Sequence, residues 1–158
     1  MTDETNKVTG HQLIPEEVRA SEIRYRRLFE SARDGILILD AVSQKITDAN
    51  PFMVEFLGYS RDDFLGKELW EIGLFKDKNE SQTALRELQA TGYLRYEELA
   101  LETKAGERRD VEFVSNVYEE GKRQVIQCNI RDITERKRAE VALREQAALL
   151  VSAQRATD

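Results

Sequence analysis

Along this chain the apolar positions change rhythm, and each rhythm predicts a different element. Ile14, Val18, Ser21, Tyr25, Leu28 and Ala32 place apolar or small residues at alternating intervals of four and three. That spacing is the seam of a two-helix contact, or equally the inner stripe of one amphipathic helix lying on its own domain. Pro15 is tolerated in a first helical turn, and Glu16 and Glu17 after it suit the positive end of a helix. A helix is therefore predicted over residues 14–33. Residues 1–13 are mostly polar with no period and read as a flexible tail.

From residue 34 the rhythm shortens. Gly35-Ile36-Leu37-Ile38-Leu39-Asp40 is an apolar run bounded by turn formers, and Lys45-Ile46-Thr47-Asp48-Ala49 follows at hairpin distance, predicting two strands. Asn50-Pro51 then opens a helix, because Asn accepts from free backbone N–H groups and Pro presets φ at the first helical residue. This helix carries Phe52, Phe56 and Leu57 and stops at Gly58. Ser60 with Asp63 three residues later resembles a capping box, for a short helix closed by Gly66. A further helix is predicted from Asn79 to Thr91, with Leu85 and Leu88 inward and Gly92 as its stop.

Three strands come next. Leu94–Thr103 alternates weakly, with Leu99 and Leu101 on one face. After a turn at Lys104-Ala105-Gly106, Arg108–Glu119 sets Val111, Phe113, Ser115 and Val117 on one face. After Gly121, Arg123–Asp132 does the same with Ile126, Cys128 and Ile130. Two strands, several short helices, then three strands joined by short hairpins make an α+β fold with an antiparallel sheet. The last segment, residues 134–158, contains neither Gly nor Pro and reads as a helix whose open N–H groups Asp132 or Thr134 can cap. Ile133, Glu140, Leu143, Ala147 and Leu150 fit a seven-residue repeat, with Glu140 a poor seam residue, and Ala139, Leu143, Gln146, Leu150 and Ala153 form a competing register. A helix with two acceptable seams is able to switch between them.

Composition narrows the function. Charged residues make up 34% of the chain, which suits long solvated helices at its two ends. A net charge of −6 argues against a nucleic-acid partner, since phosphate binding needs a basic face. The run Arg136-Lys137-Arg138 is short, flanked by glutamates, and reads as a solvated helix face. Apolar runs are too short to span a membrane, the first 15 residues lack an apolar signal core, and the single cysteine, Cys128, excludes an internal disulfide. A soluble protein of a reducing compartment, the cytoplasm, is expected.

The order of elements resembles that of PAS domains, and particular residues carry the resemblance. Tyr25 to Ala32 followed by Asp34-Gly35-Ile36 resembles the family's leading helix and first strand. Asp48-Ala49-Asn50-Pro51-Phe52 resembles its second strand and first core helix, and Leu57-Gly58-Tyr59-Ser60 with Leu65-Gly66-Lys67 the short helices after it. Lys104-Ala105-Gly106-Glu107 matches the hairpin before the fourth strand, and Asn129 to Arg136 the Asp-Ile-Thr junction common in bacterial sensor kinases. The resemblance implies a PAS fold over residues 34–133. One five-stranded antiparallel sheet would carry short helices on its concave face, with coiled-coil-like helices at both ends. It also implies an inward set, able to line a ligand cavity, of Phe56, Leu69, Trp70, Leu99, Leu101, Val111, Phe113, Ser115, Cys128 and Ile130. The same residues would serve equally as a core filled without ligand.

The resemblance also bears on cofactors. Flavin photosensors of the superfamily carry a cysteine three residues after the glycine matching Gly66, where this chain has Leu69. Haem-binding members use a core-helix histidine, whereas the one histidine here, His11, lies in the tail. Cys128 is mid-strand on an inward face, more suited to a small buried hydrophobe than to chromophore attachment. One His and one Cys cannot make a zinc site, the acids have no calcium-loop spacing, and no nucleophile or phosphate-loop motif occurs. No cofactor, metal or enzymatic activity is therefore expected. The expected function is a sensory module that dimerises and relays a ligand- or partner-induced change to an effector such as a histidine kinase. The competing expectation is a purely structural dimerisation module. Dimer contacts are expected at Val18, Tyr25, Leu28, Leu143 and Leu150, and signal relay at Asp132, Ile133 and Thr134.

Overall fold

The computed structural model of the chain describes residues 15–157, so the expected tail, and Ile14 of the expected seam, lie outside the described residues. Helix α1 (Glu16–Ser31) leads into β1 (Gly35–Asp40) and β2 (Ile46–Ala49). Then follow α2 (Pro51–Leu57), α3 (Arg61–Phe64), a 3-10 turn (Leu69–Ile72) and α4 (Lys78–Thr91). Strands β3 (Tyr93–Glu102), β4 (Arg108–Glu120) and β5 (Arg123–Asp132) and helix α5 (Thr134–Thr157) complete the chain.

The local signals act where the residues put them. Asn50 caps α2, Ser60 and Asp63 form a reciprocal capping box on α3, and Gly58 and Gly92 close α2 and α4. Hairpins join β1 to β2 and β3 through β5, all antiparallel, and the sheet is completed where β1 pairs with β5, Leu37 opposite Cys128. The resulting order is β2-β1-β5-β4-β3. This is the expected α+β, five-stranded architecture.

Alternation then sorts the side chains by face. Leu37, Leu39, Val111, Phe113, Ile126, Cys128 and Ile130 point to the concave side and join Met53, Leu57, Phe64, Leu69, Leu74, Leu85 and Leu88 in one core. The convex side holds a smaller cluster of Phe29, Ile38 and Val125, through which α1 rests on the sheet.

Strand β3 departs from simple alternation. Its register with β4 slips between Tyr96 and Leu99, so Leu94 and Tyr96 face the core before the slip and Leu99 and Leu101 after it. One extra residue moves the inward set from even to odd positions, which is why the alternation there is weak. The free edge of β3 is partly covered by the 3-10 turn. Leu74 bridges Leu101, and the Gly73 carbonyl accepts from the Glu102 N–H at 3.4 Å. Gly73 has φ +91°, and a Cβ there would lie 2.5 Å from the Glu102 carbonyl oxygen, so both conformation and space demand glycine. Close by, Phe75 adopts φ +67°, unusual for a bulky residue, and its ring meets Phe113 and Tyr96 edge-on at 5.6 and 5.8 Å.

Candidate functional site

Seven of the ten residues expected to face inward are buried on or beneath the concave face. Leu69, Val111, Ser115, Cys128 and Ile130 are 0% exposed, Phe113 1% and Leu101 3%. A void large enough for water would leave accessible surface on its walls, so these side chains meet without a water-sized gap between them. The core is filled in this state. The Ser115 hydroxyl donates to the Gln127 carbonyl at 3.2 Å and lies 3.3 Å from the Cys128 sulfur. Burial pushes the Cys128 thiol up to about 12, and the contact with Ser115 offsets only part of this. Such a thiol is a small hydrophobe, not a nucleophile.

The other three are only partly buried, although Phe56 and Leu99 still pack against the core. Phe56 is half-buried, because Met53 and Leu57, one turn apart, take the inner stripe of α2 and leave Phe56 on its flank beneath Arg109, whose guanidinium is 5.9 Å from the ring. Trp70 is also half-buried, and its indole N–H donates to the Glu68 carboxylate at 2.6 Å. Leu99, on the inward face after the β3 bulge, also reaches the wall of an open cleft of about 810 Å³ with Trp70 and Tyr59.

At the far end of β5 the junction is tightly bonded. The Asp132 carboxylate accepts from the N–H of Thr134 at 3.0 Å and from its hydroxyl at 2.6 Å. That hydroxyl in turn accepts from the Asp110 N–H at 3.1 Å, and Ile133, buried, donates its N–H to the Asp110 carbonyl at 2.9 Å. Of the two residues read as able to accept from the helix's open N–H groups, Asp132 does so and Thr134 does not. Its hydroxyl is taken up between Asp132 and β4, and Asp132 is the residue that serves a first-turn N–H. One turn on, the Lys137 ammonium lies 3.3 Å from Glu98 of β3 and 3.5 Å from Asp110 of β4. The first turn of α5 is therefore clasped to two strands.

The terminal helices leave apolar side chains in water. Val18, Tyr25 and Leu28 on α1 are 46%, 52% and 66% exposed, and Leu143 and Leu150 on α5 are 65% and 66% exposed. Among the described residues no helix is long and apolar enough to cross a membrane, and no group of three or more His, Cys, Asp or Glu could hold a metal ion.

Residues 33–135 match the profile of the PAS domain. The chain belongs to the PAS domain family. It is 29% identical over 134 residues to the methyl sulfide methyltransferase-associated sensor of Methanosarcina acetivorans, covering 85% of this chain. It is 28% identical over 153 residues to sporulation kinase E of Bacillus subtilis, covering 91% of this chain. The chain spans only 13% and 19% of the length of these two relatives. Among solved structures, a domain of a sensory box sensor histidine kinase/response regulator from Geobacter sulfurreducens superposes with a TM-score of 0.64 at 30% identity, over 73% of this chain and 96% of that one. As a PAS domain, the chain is a sensor module of the kind that sensor kinases carry.

Two site residues of this PAS domain escape a reading of the sequence. Asn50, legible as a helix cap, also donates to the carbonyls of Phe29 and Asp34 at 3.1 and 2.9 Å and accepts from the Ile36 N–H at 2.9 Å. These contacts tie the end of α1 to β1 and α2. Lys137 sits in a basic run that reads as solvated. Its acidic partners, Glu98 and Asp110, are distant in sequence and leave no local pattern.

Proposed function

We propose that this PAS domain works as a homodimeric sensory module that passes a change in its sheet to a downstream histidine kinase or other effector through α5. The observation that carries the reading is the junction. Strand β5 runs directly into α5 through Asp132, Ile133 and Thr134, and Thr134 and Lys137 hold the first turn to β3 and β4. A displacement of either strand would alter the direction in which α5 leaves the sheet. Interactions of this kind are worth on the order of 1 kcal/mol, small beside the stability of a domain but enough to move a balanced equilibrium several-fold. Flavin-adduct chemistry is not part of the proposal, since the resemblance implies the photosensor thiol at the position where this chain has Leu69. A cytoplasmic site of action fits the reading.

The test is a fusion of the chain to an effector kinase. Asp132→Ala and Thr134→Ala should leave the melting temperature within a few degrees of wild type while uncoupling kinase activity from its regulation. Normal regulated activity in both variants would reduce the junction to a linker. A second reading, a structural dimerisation module without ligand, is favoured by the filled concave face. It is separated from the first by native mass spectrometry of freshly purified protein, which reports ligand mass and oligomer together.

A further inference from the structure

On the convex side, where α1 rises from the sheet, a groove of about 600 Å³ runs between the helix and the end of β4. Val18, Tyr25 and Tyr118 supply its apolar surface, and Glu17, Glu22 and Glu120 stand at its margin. Among the described residues, no lysine or arginine lines it. Arg123, opposite Glu120 in the strand register, lines a separate cleft with Asp40. Burial first, and then Tyr25 and Glu120, push the Tyr118 phenol up to about 12, and Tyr25 is raised by burial and by Glu120. Burial is the main cause of both shifts, Glu120 adds to each in the same direction, and Arg26 opposes the shift at Tyr25.

We propose that this groove docks a basic amphipathic helix of a partner protein. Its apolar stripe would cover Val18, Tyr25 and Tyr118, and its lysines and arginines would meet the three glutamates. Charge complementarity selects this occupant. A second copy laid groove on groove by two-fold symmetry would set the same three glutamates against one another, a cost that pairing of two α1 helices has to offset through Leu28. A small molecule would keep much of its surface in water, because the groove is open to solvent. The proposal goes beyond the function proposed above. It does share Val18 and Tyr25 with the N-terminal dimer contacts, so a docked helix competes with pairing through α1 and leaves Leu143 and Leu150 untouched.

The experiment is fluorescence anisotropy on the full chain with a labelled helical peptide of leucine and lysine in heptad pattern. The matching leucine and glutamate peptide serves as control. Glu22→Lys with Glu120→Lys is compared with Glu71→Lys with Glu87→Lys, which changes net charge equally away from the groove. The basic peptide should bind wild type and the distant pair, bind the groove pair about tenfold more weakly, and outcompete the acidic peptide throughout. The milder Glu17→Gln with Glu22→Gln, on the exposed helix, should show a smaller loss in the same direction and guards against misfolding of the charge reversal. Equal loss in both lysine pairs would mean unspecific attraction to an acidic protein, and absence of binding to wild type is equally fatal. A change in the chain's own association with peptide binding unaltered would assign the groove to a second copy and overturn the proposal.

Discussion

The side-chain amide of Asn50 has two acceptor and two donor positions, and the four are occupied by Met53, Ile36, Phe29 and Asp34. Because the residue is wholly buried, truncation would strand two N–H groups and two carbonyls where water has little access. Asn50→Ala should therefore cost about 3 kcal/mol or more, and Asn50→Asp, which keeps the acceptors alone, an intermediate amount. Chemical denaturation followed by circular dichroism measures both, and a loss under about 1 kcal/mol for the alanine variant would remove Asn50 from this role. Phe113 is the apolar counterpart, 1% exposed and in ring contact with Phe75 and Tyr96. Phe113→Ala should cost about 3–5 kcal/mol. A much smaller loss would mean that the ring borders space that a ligand could use.

Among the elements, α5 differs most from the rest. After its first turn it leaves the sheet, and Leu143, Leu149 and Leu150 stand in water at 65%, 71% and 66% exposure. A helix of this length gains most of its stability from packing rather than propensity, so an apolar stripe of this kind calls for a second helix. Leu143→Arg with Leu150→Arg should shift the mass measured by light scattering from dimer toward monomer, and Leu28→Arg should weaken the dimer through α1. A wild-type chain that stays monomeric at high micromolar concentration would contradict the pairing. Both seams predicted for this helix contain Leu143 and Leu150, so these variants test association without choosing between the registers.

For the molecule as a whole, burial leaves a signature in its response to alkali. Cys128 and Tyr118 are both held at about 12 in the folded state, with burial the first cause of each shift. In the unfolded chain a thiol titrates near about 8.5 and a phenol near about 10. Between those values and about 12 the folded protein binds more protons than the unfolded one, so stability falls as pH rises. The contribution of the thiol is fully present below about pH 8.5 and that of the phenol below about pH 10. Melting temperature should decline progressively from pH 9 upward, and Cys128→Ala should flatten the first part of that decline. A melting temperature independent of pH between 8 and 11 would show that neither group is shielded as the structure places it.

Caps, hairpins and the order of strands and helices were legible from neighbouring residues, because each depends on backbone chemistry within a few positions. Asn50-Pro51, the Ser60 and Asp63 capping box and Gly92 act through such short spacings, and so does the alternation that sends Val111, Phe113 and Ser115 inward. A different set of features depends on how distant segments meet. The pairing of Leu37 with Cys128, the phase of β3 after its bulge and the choice of Met53 over Phe56 for the core have no local sign. Neither has the clasp of Thr134 and Lys137 on Asp110. Local hydrogen bonds and periodicity thus made the family resemblance and the sheet readable in the chain itself. Tertiary closure alone decided which polar side chains are saturated, which aromatic rings are covered and which faces remain open, because those outcomes depend on partners brought from elsewhere in the chain.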